Sequence, residues 1–287
     1  MNAARVSITF LLGSALVCSV GCVPVQSNYA IPEQSRAHYE EQIPSFVKEA
    51  RNRTGVNPGG KLALNGQVLL APVVYHWQPE SSSAHTLPPL WEMSDHERSV
   101  QTLATETESR ILRGLQARGY DSVTPEGLKK SGVNAGEIGE TPPADGAGRA
   151  PTNARMSGYP YVSNKLKQWS IQDFEKIRSS VPSITSIIFT EIYSVWHYKS
   201  LTRLNGEATV NYTVETVPSV KVCTGTPMKC TEARFDEKNA LKSILPVPAK
   251  TPVNEAVQKS NNDFSINLAG KYNSDVVLSV IDNIATR

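Results

Sequence analysis

The residues of this 287-residue chain whose types and spacing could do chemistry are few, and each group lacks part of what its chemistry needs. Gly55-Val-Asn-Pro-Gly-Gly-Lys61 has the G-x-x-x-x-G-K spacing of a phosphate-binding loop, whose glycines let backbone N–H groups close around a nucleotide. Leu62 stands where a Ser or Thr would hold magnesium, a polar stretch precedes the glycines, and a strand is expected after them where the motif needs a helix. Nucleotide binding is therefore not expected. His76, His85 and His96 lie in one segment, Tyr75 to Glu97, and could in principle meet around a metal. No pair has the i, i+4 spacing of a helical zinc site, so the segment reads as scattered loop histidines and no metal is expected. Ser81-Ser-Ser83 lacks the glycines of a nucleophile elbow. Glu191 and His197 share one face of a long expected strand, but at about 3.3 Å per residue they stand roughly 20 Å apart and cannot act as a pair. No catalytic residues and no cofactor follow from these patterns.

Tyr193, Trp196, His197 and Tyr198 crowd the far end of that strand. Exposed, they would form a contact patch for a partner; paired across strands, they would be ordinary packing, which cross-strand aromatic pairing favours.

The amino terminus has the three parts of an export signal: Arg5 near a positively charged start, an apolar run from Val6 to Val17, and small residues ahead of Cys22. The run is shorter than the roughly 20 residues that cross a bilayer. Ser19-Val-Gly-Cys22 resembles the lipobox of bacterial lipoproteins, with Ser19 where leucine is usual. The resemblance covers residues 1–22 and implies removal of 1–21 as signal peptide, followed by acylation of Cys22 by palmitate-type chains. Such chains contribute about 0.8 kcal/mol per buried CH₂ and would hold the protein on a membrane. Val23, in place of the aspartate that favours inner-membrane retention in enteric lipoproteins, implies the periplasmic side of the outer membrane. Ser19 and Gly21 also suit an ordinary signal peptidase, which leaves a secreted or periplasmic soluble form as the alternative.

Of the four cysteines, Cys18 would leave with the leader and Cys22 would carry lipid, so Cys223 and Cys230 remain as the pair expected to bond in an oxidising compartment. Gly225 and Pro227 between them suit a turn. The formal net charge is +2, with no Lys/Arg cluster beyond Lys129-Lys130, so the electrostatic footprint of nucleic-acid binding is missing. Proteins, glycans or small molecules remain as partners.

These residues need elements to position them. Residues 22–61 are polar and read as a tether with one weakly helical piece, Ser35 to Arg51. The folded domain is expected over 62–287. It begins with the strand Gln67 to Tyr75, where Pro72 demands an edge position or a bulge. Ser94 and Glu97 form a capping box for a helix to about Arg118, with Val100, Leu103, Ala104, Ile111 and Leu115 on one face. About 131–160 is rich in Gly, Pro and Ala and reads as a flexible insertion. Ser170 and Asp173 cap a second helix ending near Ser180, with Trp169 and Phe174 as its staple.

Ile184 to Tyr198 and Glu207 to Glu215 then form a long antiparallel hairpin. A two-residue turn at Asn205-Gly206 would set Val210 against Leu201. A shift by one, with a loop of about five residues, sets Tyr212 against Tyr198 and Val214 against Trp196, and is preferred for its aromatic and β-branched pairs. From about Pro252, Val257, Phe264, Leu268 and Tyr272 recur at helical spacing, and Val276 to Ile281 fits either helix or strand.

The fold class expected is α+β or α/β, a small mixed sheet with helices mainly on one face. Architecture and location together look like the periplasmic α/β domains of outer-membrane secretion and assembly lipoproteins. By that analogy the chain is an interaction module docking an envelope protein, with a periplasmic hydrolase or ligand-binding lipoprotein acting on cell-wall material as the alternative. No oligomeric state follows.

Overall fold

The computed structural model describes residues 33–53, 61–79, 93–130, 132, 154–158, 170–204, 207–234, 241–248 and 255–287. In chain order these form α1 (Glu33–Arg53), β1 (Leu62–Ala63), β2 (Gln67–Leu70), β3 (Val74–Pro79), α2 (Met93–Ala117), β4 (Asp121–Val123), α3 (Pro125–Lys130) and β5 (Ala154–Met156). They continue with α4 (Ile171–Ser180), β6 (Ile184–Leu204), β7 (Glu207–Thr224), β8 (Lys229–Arg234), β9 (Leu241–Pro248), α5 (Glu255–Ile284) and β10 (Ala285–Thr286). Helices and strands mix along the chain around an open mixed sheet of eight strands, the α+β or α/β class read from the sequence.

β6 organises that sheet. On one side it pairs in parallel with β2 and then β3; on the other it pairs antiparallel with β7. Pro72 explains why β2 and β3 are two strands. It cannot donate a ladder hydrogen bond, so the chain leaves the ladder after Ala71, whose N–H still reaches Ile188 O at 2.9 Å, and rejoins it at Val74 opposite Glu191. The strand expected over Gln67 to Tyr75 is thus broken at its proline, with β4 beside β2 and β5 beside β3.

Alternating side chains divide the sheet into two faces. On one, α1, α2 and α5 bury Ile43, Leu103, Ile111, Leu115, Leu268, Val277 and Ile281 against Val68, Leu70, Ile188, Ile192, Val220 and Val222. On the other, Leu128 of α3, Phe174 and Ile177 of α4 and Met156 of β5 pack on Leu69, Val74, Ile184, Ile187 and Cys223. Strand residues sandwiched on both faces must be apolar at consecutive positions, which is why Val68-Leu-Leu70 and Ile187-Ile188 show no alternation.

α5 runs unbroken through Val276 to Ile281, the run left between helix and strand by its sequence. All six residues of that run are buried, and enclosure on every side erases the helical period. α2 and α5 approach closely because Gly114 has no side chain: a Cβ there would run into Leu278 Cδ1. At the end of this crossing Arg118 grips Asp282 with two bonds, Nε to Oδ1 at 2.9 Å and Nη2 to Oδ2 at 3.1 Å. β10 then pairs in parallel with β1.

Several expectations need adjustment. The helical piece of the expected tether is the 21-residue α1, and Ile43 carries it into the core against α5. Within the insertion expected over about 131–160, residues 154–156 form the edge strand β5, with Met156 and Ser157 buried. α2 begins at Met93, which puts Ser94 inside the first turn rather than ahead of it. The second helix has the expected bounds and cap: Asp173 N–H donates to Ser170 Oγ at 3.3 Å and Ser170 N–H to Asp173 Oδ2 at 2.9 Å. Trp169, its expected staple, lies outside the described residues.

The hairpin uses both registers weighed from sequence. Leu201 pairs with Val210 and Leu204 with Glu207, so the tip has the short-turn register in place of the five-residue loop. An irregularity between Tyr198 and Ser200 then shifts the strands by one, and below it Tyr198 faces Tyr212 and Trp196 faces Val214. A bulge of this kind absorbs one residue and reconciles a tight turn with aromatic pairing.

Cys223 and Cys230 face each other across β7 and β8 and are joined by a disulfide. Closing so small a loop contributes roughly 2.5 kcal/mol in the chain-entropy model. A Cys223→Ser/Cys230→Ser variant is expected to lose about that amount in denaturant titration; an unchanged midpoint would show the covalent link to be redundant with the β7–β8 ladder.

Candidate functional site

Among the described residues the second layer stops short, and a pocket lies where it ends. α4 covers the lower part of its sheet face, and at its amino-terminal end Ser170, Ile171 and Gln172 line a pocket of about 460 Å³. Ala71, Pro72 and Val74, the residues around the proline break, form one wall.

The floor follows from register. Glu191 pairs with Ser219, Phe189 with Lys221, and Lys221 with Glu232, so alternate positions of three adjacent strands converge on one patch. All five line the pocket. Lys221 thus lies across from Glu232 and diagonal to Glu191 in the ladder, with Phe189 and Ile171 supplying apolar surface. Ser219 Oγ donates to Glu232 Oε1 at 3.4 Å. The patch can accept hydrogen bonds and cations at Glu191 and Glu232, and donate to an anion at Lys221.

At the rim, His76 of β3 stacks on Tyr193 of β6 with ring centroids 4.2 Å apart and planes 3° from parallel. The parallel pairing of β3 with β6 sets these two residues side by side. Tyr193 Oη donates to Glu191 Oε2 at 2.7 Å, and His76 Nε2 stands 3.8 Å from the same oxygen. Burial lowers the His76 pKa below its ordinary value and Glu191 only partly opposes that, so the ring is neutral at neutral pH and its contact with Glu191 is not an ion pair. Tyr193 remains 41% exposed, and stands out among the large hydrophobic side chains described.

α4 is fixed at both ends of this layer. Asp173, 2% exposed, is held in the capping box, and Arg178 Nη1 donates to Gly225 O at 2.9 Å, tying the helix to the turn beside the disulfide. The pocket wall on this side is therefore a rigid element.

His76, read from sequence as a loop residue, is in strand register with Tyr193 and beside Glu191. Trp196, His197 and Tyr198 continue β6, with Pro79 of β3 opposite Trp196; their side chains lie outside the described residues, as do His85 and the side chain of His96. Gly55 to Gly60 also lie outside them, while Lys61 Nζ donates to the backbone carbonyl of Asp282. Cys22 is outside the described residues too. Among the described residues no three His, Cys, Asp or Glu side chains gather as a metal site, and no helix is long and apolar enough to cross a membrane. Lys221 and Glu232 were not singled out from sequence. Extending the hairpin register from Tyr198 down to Glu191 would have found Ser219 beside it and Lys221 one step further.

No protein-family model matches the chain, and no curated protein sequence matches it. Among solved structures, it can be superposed on a Helicobacter pylori protein described as a neuraminyllactose-binding hemagglutinin homologue, at 8% identity and a TM-score of 0.26, covering 79% of this chain and 89% of that one. So loose a superposition carries no argument about this chain.

Proposed function

We propose that the chain is a lipoprotein anchored through Cys22 on the periplasmic side of the outer membrane, whose domain docks a protein partner of the cell envelope at the pocket beside Glu191. The observation that carries the docking reading is the unequal covering of the sheet by the described residues. One face is packed by α1, α2 and α5, while on the other the α4 layer ends at a pocket with Tyr193 exposed on its rim. Exposed aromatic surface beside charges of both signs suits a partner segment that buries a ring and satisfies the charges around it. Trp196, His197 and Tyr198 extend the proposed contact along β6.

The pocket's volume favours a second reading. A cavity of about 460 Å³ is also of the size that holds a small molecule, which keeps a ligand-binding role in play. A hydrolase needs more, since among the described residues His76 Nε2 has no hydrogen-bond partner.

Tyr193→Ala separates docking from a role confined to the helical face. Chemical cross-linking in intact cells should yield a stoichiometric adduct for the unmodified chain and at least a tenfold weaker one for the variant, the loss expected when a central aromatic anchor worth about 1.4 kcal/mol or more is removed. Equal yields would reject the pocket rim as the docking site.

A further inference from the structure

The pocket wall at Ala71 to Val74 is held from behind by a hydrogen-bond relay that starts on α2. Because Pro72 interrupts the ladder, Val73 has no strand partner for its backbone groups, yet it is fully buried and both groups must be satisfied. Ser157, just past β5 and 1% exposed, supplies both. Val73 N–H donates to Ser157 Oγ at 2.7 Å, and Ser157 N–H donates to Val73 O at 3.0 Å. The Ser157 hydroxyl hydrogen then has one direction left, and it donates to Glu108 Oε2 in the middle of α2. One turn pair earlier on the same helix, Gln101 Nε2 donates to Met156 O at 2.9 Å, so α2 holds β5 at two points.

We infer that Glu108, Ser157 and Val73 form a proton-controlled latch on the pocket wall, closed while Glu108 carries its proton and released when it ionises. The inference concerns regulation of the same pocket and rests, for its functional meaning, on the docking reading above. Neutral Glu108 can stay in its largely covered site with the Ser157 hydroxyl on its oxygen. An ionised carboxylate there loses hydration and faces Glu126 of α3, the charged group that acts on it among the described residues, and the repulsion has the same sign as the desolvation. Movement of Glu108 toward water removes the acceptor of Ser157 Oγ–H. Ser157 Oγ is then free to rotate, and the Val73 N–H, which also bonds Glu108, loses the side-chain partners that hold Pro72 and Val74 against the pocket. Burial and Glu126 raise the Glu108 pKa from 4.5 to about 7, against the lowering hydrogen bonds from Ser157 and Val73, so the latch weakens as pH rises from about 4.5 to about 7.

Hydrogen exchange of the Val73 amide in the full chain tests the latch. If opening returns Glu108 to its ordinary pKa, the opening constant, after correction for intrinsic exchange, rises about thirtyfold between pH 5.5 and pH 8.5. Glu108→Gln should hold the amide protected at both pH values, and Ser157→Ala should leave it exchanging fast at both. PH-independent protection in the unmodified chain, or a rise in the Glu108→Gln variant equal to that of the parent, would overturn the latch. The Tyr193 cross-link, measured on the same variants, reports on docking separately: Val73 exchange that follows pH while cross-linking is indifferent to Tyr193→Ala leaves the latch standing and removes the docking site.

Discussion

A chain carrying Cys22→Ser is expected to leave the membrane fraction and appear in the soluble fraction. On the proposed reading, attachment falls to acyl chains on Cys22, the residue whose thiol the lipobox resemblance puts at the processed terminus. The diacylglyceryl and N-acyl chains that the resemblance implies, at about 0.8 kcal/mol per buried CH₂, would give retention that washing with salt does not reverse, and serine would remove all of it because a hydroxyl cannot take the thioether. Fractionation with mass spectrometry of the mature terminus reads the result. Unchanged retention, or an unmodified terminus other than Cys22 in the parent protein, would refute the anchor and favour the secreted alternative.

The second large effect is on stability against pH. Glu108 has a folded-state pKa of about 7 against 4.5 for the free side chain, raised chiefly by burial. The sign follows from proton counting: between these values the folded protein holds a proton that the unfolded chain has released. The stabilisation is therefore complete below about pH 4.5 and is lost as pH rises through about 7. At 1.36 kcal/mol per pKa unit the full contribution is about 3 kcal/mol. Asp275, also raised by burial, contributes with the same sign. Glu108→Gln keeps the size of the side chain without the ionisation, so denaturant titrations at pH 5.5 and 8.5 should differ much less for the variant than for the parent. Equal slopes in the two proteins would show that Glu108 ionises in place without cost.

Legibility in the sequence tracked how local each determinant was. Ser170 and Asp173 specify the start of α4 within four consecutive residues, and the structure shows that capping box. The Cys223–Cys230 bridge was likewise local, since a strand turn had only to bring the two ends together. Pro72 announced a disturbance in its strand but not its form. Whether the chain left the sheet at an edge or looped out of the middle depended on β6, more than a hundred residues later. The hairpin posed a forced choice between two registers because a bulge, which admits both, leaves no signature in alternation alone.

The site was less legible than the fold. Glu191 and Tyr193 stood out because they are polar and aromatic within an apolar strand, and they do line or rim the pocket. His76 reached them through a parallel pairing across a long chain separation, which no local pattern encodes. Glu108 was hidden for another reason. It sits in a helix at a position where a solvated carboxylate is ordinary, and the hydrogen bond from Ser157, which arrives from the expected insertion, ties it to the pocket wall. Sequence periodicity reports which face a residue is on; it does not report what a distant segment brings to that face.

The central claim is docking at the sheet face beside Glu191, and site-specific photo-cross-linking in intact cells tests it most directly. A photoreactive residue at position 193 is compared with one at Arg113, which is well exposed on α2 on the opposite side of the sheet. The account predicts a discrete adduct of one envelope protein from position 193, abolished by Glu191→Lys, and none from position 113. Absence of an adduct at 193, or the same adduct from both positions, would contradict it.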